Sequence, residues 1–227
     1  MSNQGLKYNV DLVFCIDVTG SMHGILETVK SNALKMYPDL QRALEEKDKN
    51  VEALRIKVIA YRDFYADGSD AVLSTEFIDI KNDAGKFESF VRTLRPEGGG
   101  DEPENGLEAL ALAMRSDWVR EGDRQRHIIV VWSDASTHPL EKSRHGAGEN
   151  YPEGMPADFN ELTDWWDGQT YMSNRSAKRL VIFAPDCNAW TDIATHWENT
   201  VHYPSKAGQG LADVDYKTIM SAIINSI

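Results

Sequence analysis

A chain of 227 residues is long enough for one well-buried α/β domain and short for two. Its 36 acidic residues against 24 Lys and Arg leave a formal charge of −12, which argues against nucleic acid or an anionic membrane as the main partner, since both need a basic surface. Two cysteines make neither a disulfide framework nor a zinc motif, no stretch reaches the roughly 20 apolar residues of a membrane span, and residues 1–8 lack a signal-peptide core, so a cytoplasmic protein is expected.

Residues 10–16 form a nearly unbroken apolar run, the pattern of a strand covered on both faces. The run stops on Asp17, and Thr19, Gly20 and Ser21 follow. Apolar positions at Ile25, Val29, Ala33, Met36 or Tyr37, Leu40 and Leu44 then define a long amphipathic helix, closed by a charged break at 47–50. Residues 55–64 read as a second strand. Residues 72–80 read as a shorter one after the turn-like Asp67-Gly68-Ser69, placed to form a hairpin edge. Asp83 is positioned to cap a short helix that turns Phe87, Phe90, Val91 and Leu94 inward.

Three consecutive glycines, Gly98 to Gly100, allow backbone shapes closed to other residues. Asp101 follows where a helix cap is expected, Pro103 suits a first helical turn, and Leu107, Leu110, Ala111 and Met114 supply the packed side of that helix. Residues 127–132 are a fourth strand ending on Ser133-Asp134-Ala135-Ser136-Thr137-His138-Pro139. Residues 140–157 read as a long Gly- and Pro-containing loop, functional or mobile. A helix at 158–171, a strand at 179–184, a helix at 188–197, a short strand at 198–203, a loop at 205–210 and a closing helix at 213–227 complete the chain. The alternation predicts an α/β fold: a mostly parallel sheet of about six strands with one antiparallel edge and helices on both faces. It is expected to form one domain over residues 1–227, with a loop–helix insertion at about 135–171.

A strand that ends on a carboxylate places Asp17 at the mouth of a βα loop, the edge where open α/β sheets bind ligands. Thr19 and Ser21 can turn toward the same point, and an all-oxygen set suits Mg²⁺ better than Zn²⁺. Asp101 and Asp134 sit in loops that a parallel sheet brings to that edge. Each aspartate alone reads as a turn or cap residue, but three together favour a common site. The histidines offer no such set, since His196 and His202 have no Cys or Asp beside them. Phe159 and Leu162 read as the packed side of their helix. One of Trp165 and Trp166 must face elsewhere and is a candidate partner anchor. Tyr61-Arg62-Asp63 is either a surface ion pair or part of the site edge.

Asp17-Val18-Thr19-Gly20-Ser21 resembles the Asp-x-Ser/Thr-x-Ser signature of von Willebrand factor A domains. Residues 98–104 resemble the Gly-Gly-x-Asp-x-Pro-Glu loop of a bacterial and protist branch of that family, and Ser133-Asp134-Ala135 resembles the third motif. The resemblance covers nearly the whole chain. It implies a Rossmann-like, doubly wound domain with a metal-ion-dependent adhesion site above the sheet. Thr19 and Ser21 would bind through hydroxyl oxygens, and Asp17 and Asp134 directly or through water. Asp101 falls where many members carry threonine. The ion would be Mg²⁺, Mn²⁺ or Ca²⁺, and an acidic side chain of a protein partner would complete its coordination. The implied function is non-enzymatic binding, since stand-alone bacterial members work beside an ATPase, kinase or phosphatase, including in stress response and phage defence.

Three carboxylates around a dication leave a net negative site, so tighter metal binding and a weaker pull on an acidic partner group are expected. The alternative is a Mg²⁺-dependent phosphohydrolase of the haloacid-dehalogenase type. It would need an aspartate two residues after the nucleophile, where this chain has Thr19. No P-loop Gly-Lys-Ser/Thr follows the glycines either.

Overall fold

Strand β1 (Lys7–Asp17) occupies the middle of the sheet and pairs in parallel with β2 (Asn50–Tyr61) on one side and β5 (Arg124–Trp132) on the other. The structure, a computed structural model, describes residues 7–47, 49–100, 102–168, 171–172, 175–205 and 216–227. Beyond β5 lie β6 (Lys178–Pro185) and β7 (Thr200–Ser205), both parallel. On the far side of β2, the short strands β3 (Val72–Ser74) and β4 (Ile78–Asp79) pair antiparallel with it. The order β3-β2-β1-β5-β6-β7, with β4 also on β2, is the expected mostly parallel sheet with one antiparallel edge.

Strand geometry sends successive side chains of β1 to opposite faces. Leu12, Phe14 and Ile16 enter a core built with α1 (Leu26–Glu46), α3 (Ile80–Thr93) and α8 (Tyr216–Ser226). Val13 and Cys15 enter a second core built with α4 (Gly106–Met114), α6 (Phe159–Asp167) and α7 (Asn188–His196). All five residues are fully buried. Each large apolar side chain contributes about 1.5–3 kcal/mol relative to exposure, which anchors β1 firmly and fixes where its last residue emerges. Phe14 also stacks on Trp132 at 5.1 Å between centroids, tying β1 to β5.

Several boundaries differ from the sequence expectation. β2 starts at Asn50 rather than 55, because its first half alternates exposed and part-buried residues before the apolar stretch. The expected strand at 72–80 is two pieces, since Thr75 turns its hydroxyl back to accept from Val58 N–H. Asp83 does not cap α3. Asp79 does, accepting from Lys81 N–H, while Asp83 sits at a kink inside the helix and pairs with Lys86. Pro103 lies ahead of α4, whose first residue is Gly106. The segment read as a loop at 140–157 contains α5 (Leu140–Gly146) and a 3-10 turn at Gly148–Asn150. The helix expected to 171 stops at Asp167. The predicted loop at 205–210 and the start of the closing helix fall largely on residues 206–215, outside the described residues. Among the described residues, no helix is long and apolar enough to cross a membrane.

Trp166 is the buried member of its pair and stacks on Trp197 at 5.5 Å, while half-buried Trp165 packs against Tyr171. After β1 the chain builds outward to β2, β3 and β4, then returns to place β5 on the other side of β1. The β1/β5 seam is therefore the point where strand order reverses, and the crevice above its carboxyl ends is where such sheets bind ligands.

Candidate metal centre

Three loops converge above that seam. The first follows β1 and carries Asp17, Thr19 and Ser21, with a 3-10 turn at Gly20–Gly24 before α1. The second is the glycine-rich stretch before α4. The third follows β5 and carries Ser133 and Asp134. Asp17 falls on the same face of β1 as Val13 and Cys15, so burial of those two residues sets its direction.

The oxygens form an unbroken chain. Asp17 Oδ1 accepts from Thr19 N–H at 3.0 Å and from Thr19 Oγ1 at 2.6 Å. Thr19 Oγ1 and Ser21 Oγ are 3.1 Å apart, and Ser21 Oγ donates to Asp134 Oδ1 at 3.0 Å. Ser133 Oγ donates to Asp17 Oδ2 at 2.8 Å, holding the carboxylate from behind. Neighbouring ligands of an octahedral Mg²⁺ lie about 2.9 Å apart, given metal–oxygen bonds near 2.0–2.1 Å. The Asp17–Thr19–Ser21–Asp134 spacings match that, and hard oxygen donors are the right chemistry.

Burial sharpens the case. Asp17, Thr19 and Asp134 are buried, while Ser21 and Gly20 are exposed and open the cluster to solvent. Asp134 Oδ2 is buried without a hydrogen-bond partner, and so is Glu104 Oε2 close by. Among the described residues, no Lys, Arg or His forms an ion pair with Asp17, Asp134 or Glu104. Burial pushes the Asp17 carboxyl up to about 6, against the opposing hydrogen bonds from Thr19 and with a further push from Asp134. Burial also raises Asp134, opposed by the Ser21 hydrogen bond. Glu104 is pushed up to about 9, first by burial and then by Asp17, Asp63, Asp67 and Asp134. Buried carboxylates with no counter-ion are costly, and a bound cation is the direct way to stabilise their charged form.

The structure thus brings Asp17, Thr19, Ser21 and Asp134 together; Asp101 lies outside the described residues. Among the described residues, no three or more His, Cys, Asp and Glu side chains assemble into a metal-holding group, so the set here depends on its two hydroxyls. Glu104 and Ser133 escaped the sequence reading. Glu104 sits inside the quoted glycine-rich motif, three residues after Asp101, which was the available signal. Its position is set at long range: Glu104 N–H donates to Ser136 O at 3.0 Å and His138 N–H to Glu104 O at 2.8 Å, strapping the second loop to the third. Arg62 and Asp63 make no pair with each other. Arg62 donates to the carbonyls of Asp70 and Arg95, whereas Asp63 caps α2 (Phe64–Asp67) and faces His138 Nε2 at 3.7 Å. His196 and His202 bond to backbone carbonyls of Asp192 and Ala184.

A doubly wound sheet with an oxygen-lined crevice at its switch point defines the class. Residues 11–143 match the von Willebrand factor A domain family, and the chain belongs to that family. It is 31% identical over 147 residues to "Alpha-protein kinase vwkA" of Dictyostelium discoideum, covering 65% of this chain and 21% of that protein. It is 29% identical over 191 residues to "Putative ariadne-like RING finger protein R811" of Acanthamoeba polyphaga mimivirus, covering 83% of this chain and 16% of that protein. The chain therefore spans about a fifth or less of the curated relatives it matches. Among solved structures, the pilus adhesin SpaC of Lactobacillus rhamnosus GG superposes with a TM-score of 0.56 at 10% identity, over 97% of this chain and 31% of the adhesin, a likeness of fold. Domains of this family are typically protein-interaction modules. The haloacid-dehalogenase alternative finds no support in these matches.

Proposed function

We propose that this chain is a non-catalytic, metal-dependent protein-binding module. Asp17, Thr19, Ser21 and Asp134, with Asp101 from outside the described residues, would hold Mg²⁺, or Mn²⁺ or Ca²⁺ in its place. Bound there, the ion supplies a Lewis-acidic point that an acidic side chain of a protein partner can complete. The residues of this chain set up the rest. Ser133 and Thr19 orient the Asp17 carboxylate, and Ser21 marks the solvent-facing side. Glu104, pushed up to about 9 by burial and the neighbouring aspartates, is held in its neutral form beside the cluster until a cation offsets their charge.

The observation that carries the reading is the Asp17–Thr19–Ser21–Asp134 oxygen chain, whose two buried carboxylates have no cationic partner among the described residues. We further propose that residues 1–227 act as one such domain, with 135–171 elaborating its rim. The setting would be a cytoplasmic multi-component system, bacterial stress response or phage defence among the candidates, with an ATPase, kinase or phosphatase as partner. The kinase named among the relatives is compatible with that last element. Titrating MgCl₂ calorimetrically into EDTA-stripped protein tests the metal, and a host-lysate pull-down in Mg²⁺ and in EDTA tests the partner. Saturable Mg²⁺ binding and a protein captured only with Mg²⁺ are expected. No binding heat, or capture indifferent to EDTA, would contradict the proposal.

A further inference from the structure

The glycine loop that faces the candidate metal centre is clamped from both sides. On its inner side, Gly98 O accepts from Gly20 N–H at 3.1 Å, inside the Asp17–Ser21 motif. Gly99 is buried with φ +91°, and a Cβ there would stand 2.6 Å from Thr19 Cβ and 2.7 Å from Glu104 Oε1. Thr19 and Glu104 therefore press directly on the loop backbone, which only glycine permits. On its outer side, Asp67 Oδ2 accepts from Gly99 N–H at 2.8 Å and from Asp63 N–H at 3.3 Å. A Cβ at Gly98, φ +71°, would lie 1.8 Å from Asp67 Oδ1. The carboxylate fills the space that a side chain would need.

We infer that Asp67, at the end of α2, is a positioning residue for the metal centre: it holds the Gly98–Gly100 backbone against Thr19, Gly20 and Glu104 without itself touching the ion. This rests on the metal-binding reading above. Outer partners that orient metal ligands typically matter about 10- to 100-fold in metal affinity. Asp67 acts by accepting a backbone hydrogen bond, so its charge is secondary to its oxygen, and that separates position from simple electrostatics.

The test compares Asp67→Ala and Asp67→Asn, with Asp17→Asn as the control that removes a negative charge from the proposed metal set itself. Mg²⁺ affinity is measured by calorimetry, and amide exchange at Gly99 is measured by NMR in EDTA. Asp67→Ala is expected to weaken Mg²⁺ about tenfold and to speed exchange at Gly99 while the β1 amides stay protected. Asp67→Asn is expected to stay within about threefold of the wild type, because its amide oxygen still accepts from Gly99. Unchanged Mg²⁺ affinity in Asp67→Ala, equal loss in both Asp67 variants, or unchanged Gly99 exchange in Asp67→Ala overturns the inference alone. Mg²⁺ binding that is absent from the wild type, or that survives Asp17→Asn, overturns the metal reading and this inference with it.

Discussion

Strand β1 carries two buried aspartates on one face, six residues apart, and the fold treats them in opposite ways. Asp11, toward the amino end, receives a two-pronged bond from Arg55 at 2.8 and 2.7 Å and a third from Val119 N–H at 2.7 Å. Arg55 is itself held against Phe77, which packs on Trp118. Asp17, at the carboxyl end, receives only hydroxyls and one amide. The first carboxylate is neutralised from within the chain. The second sits at the switch point, beside Asp134 and Glu104, with its charge unmatched by any described residue. The fold positions this unmatched buried charge with three hydrogen bonds, and it is the charge that the proposed cation would neutralise.

The contrast can be broken at either end. Removing Arg55 by Arg55→Ala leaves Asp11 buried and unpaired, which costs about 3–5 kcal/mol for such pairs. Urea denaturation should show that loss equally in Mg²⁺ and in EDTA. Asp17→Asn should do the reverse. It should leave the EDTA-treated protein at least as stable, because a buried charge is gone, and should abolish the stabilisation by Mg²⁺. For the wild type that stabilisation is about 2.7 kcal/mol at a hundred times the dissociation constant. A Mg²⁺ effect that persists in Asp17→Asn would erase the distinction between the two aspartates.

Smaller effects refine it. Asp101→Thr removes one negative group, so calorimetry should show weaker Mg²⁺ binding; tighter binding would reject the charge argument. Glu104 gives the smallest and most specific effect. Its folded value of about 9 lies above that of an ordinary glutamate, so its stabilising contribution is complete at low pH and is lost as pH rises through about 9. Asp17, at about 6, behaves alike at lower pH. In EDTA, Glu104→Gln should therefore flatten the fall in melting temperature between about pH 6 and pH 9. An unchanged slope would mean that the Glu104 carboxylate is not held in the environment described.

Much of this arrangement is written locally. The apolar run ending on Asp17 and the 3.6-residue stripe of α1 identify their elements because burial dictates both patterns. Thr19 and Ser21 are legible because they lie two and four residues from Asp17. What escaped depends on distant partners. α5 is a seven-residue helix whose Ser143 hydroxyl accepts from Asn105, so its sequence alone reads as loop. Asp79 rather than Asp83 caps α3 because β4 pairs with β2 up to Asp79. Ser133 and Glu104 become site residues through the crossing of the loops after β5 and before α4. No periodicity within either loop encodes that crossing.

The most direct measurement is a Mn²⁺ titration of the EDTA-stripped protein followed by electron paramagnetic resonance, with Asp17→Asn alongside. The account predicts that the wild type quenches the free-ion signal up to one Mn²⁺ per chain and that the variant does not. A free-ion signal undiminished by the wild type, or equally diminished by both proteins, would contradict it.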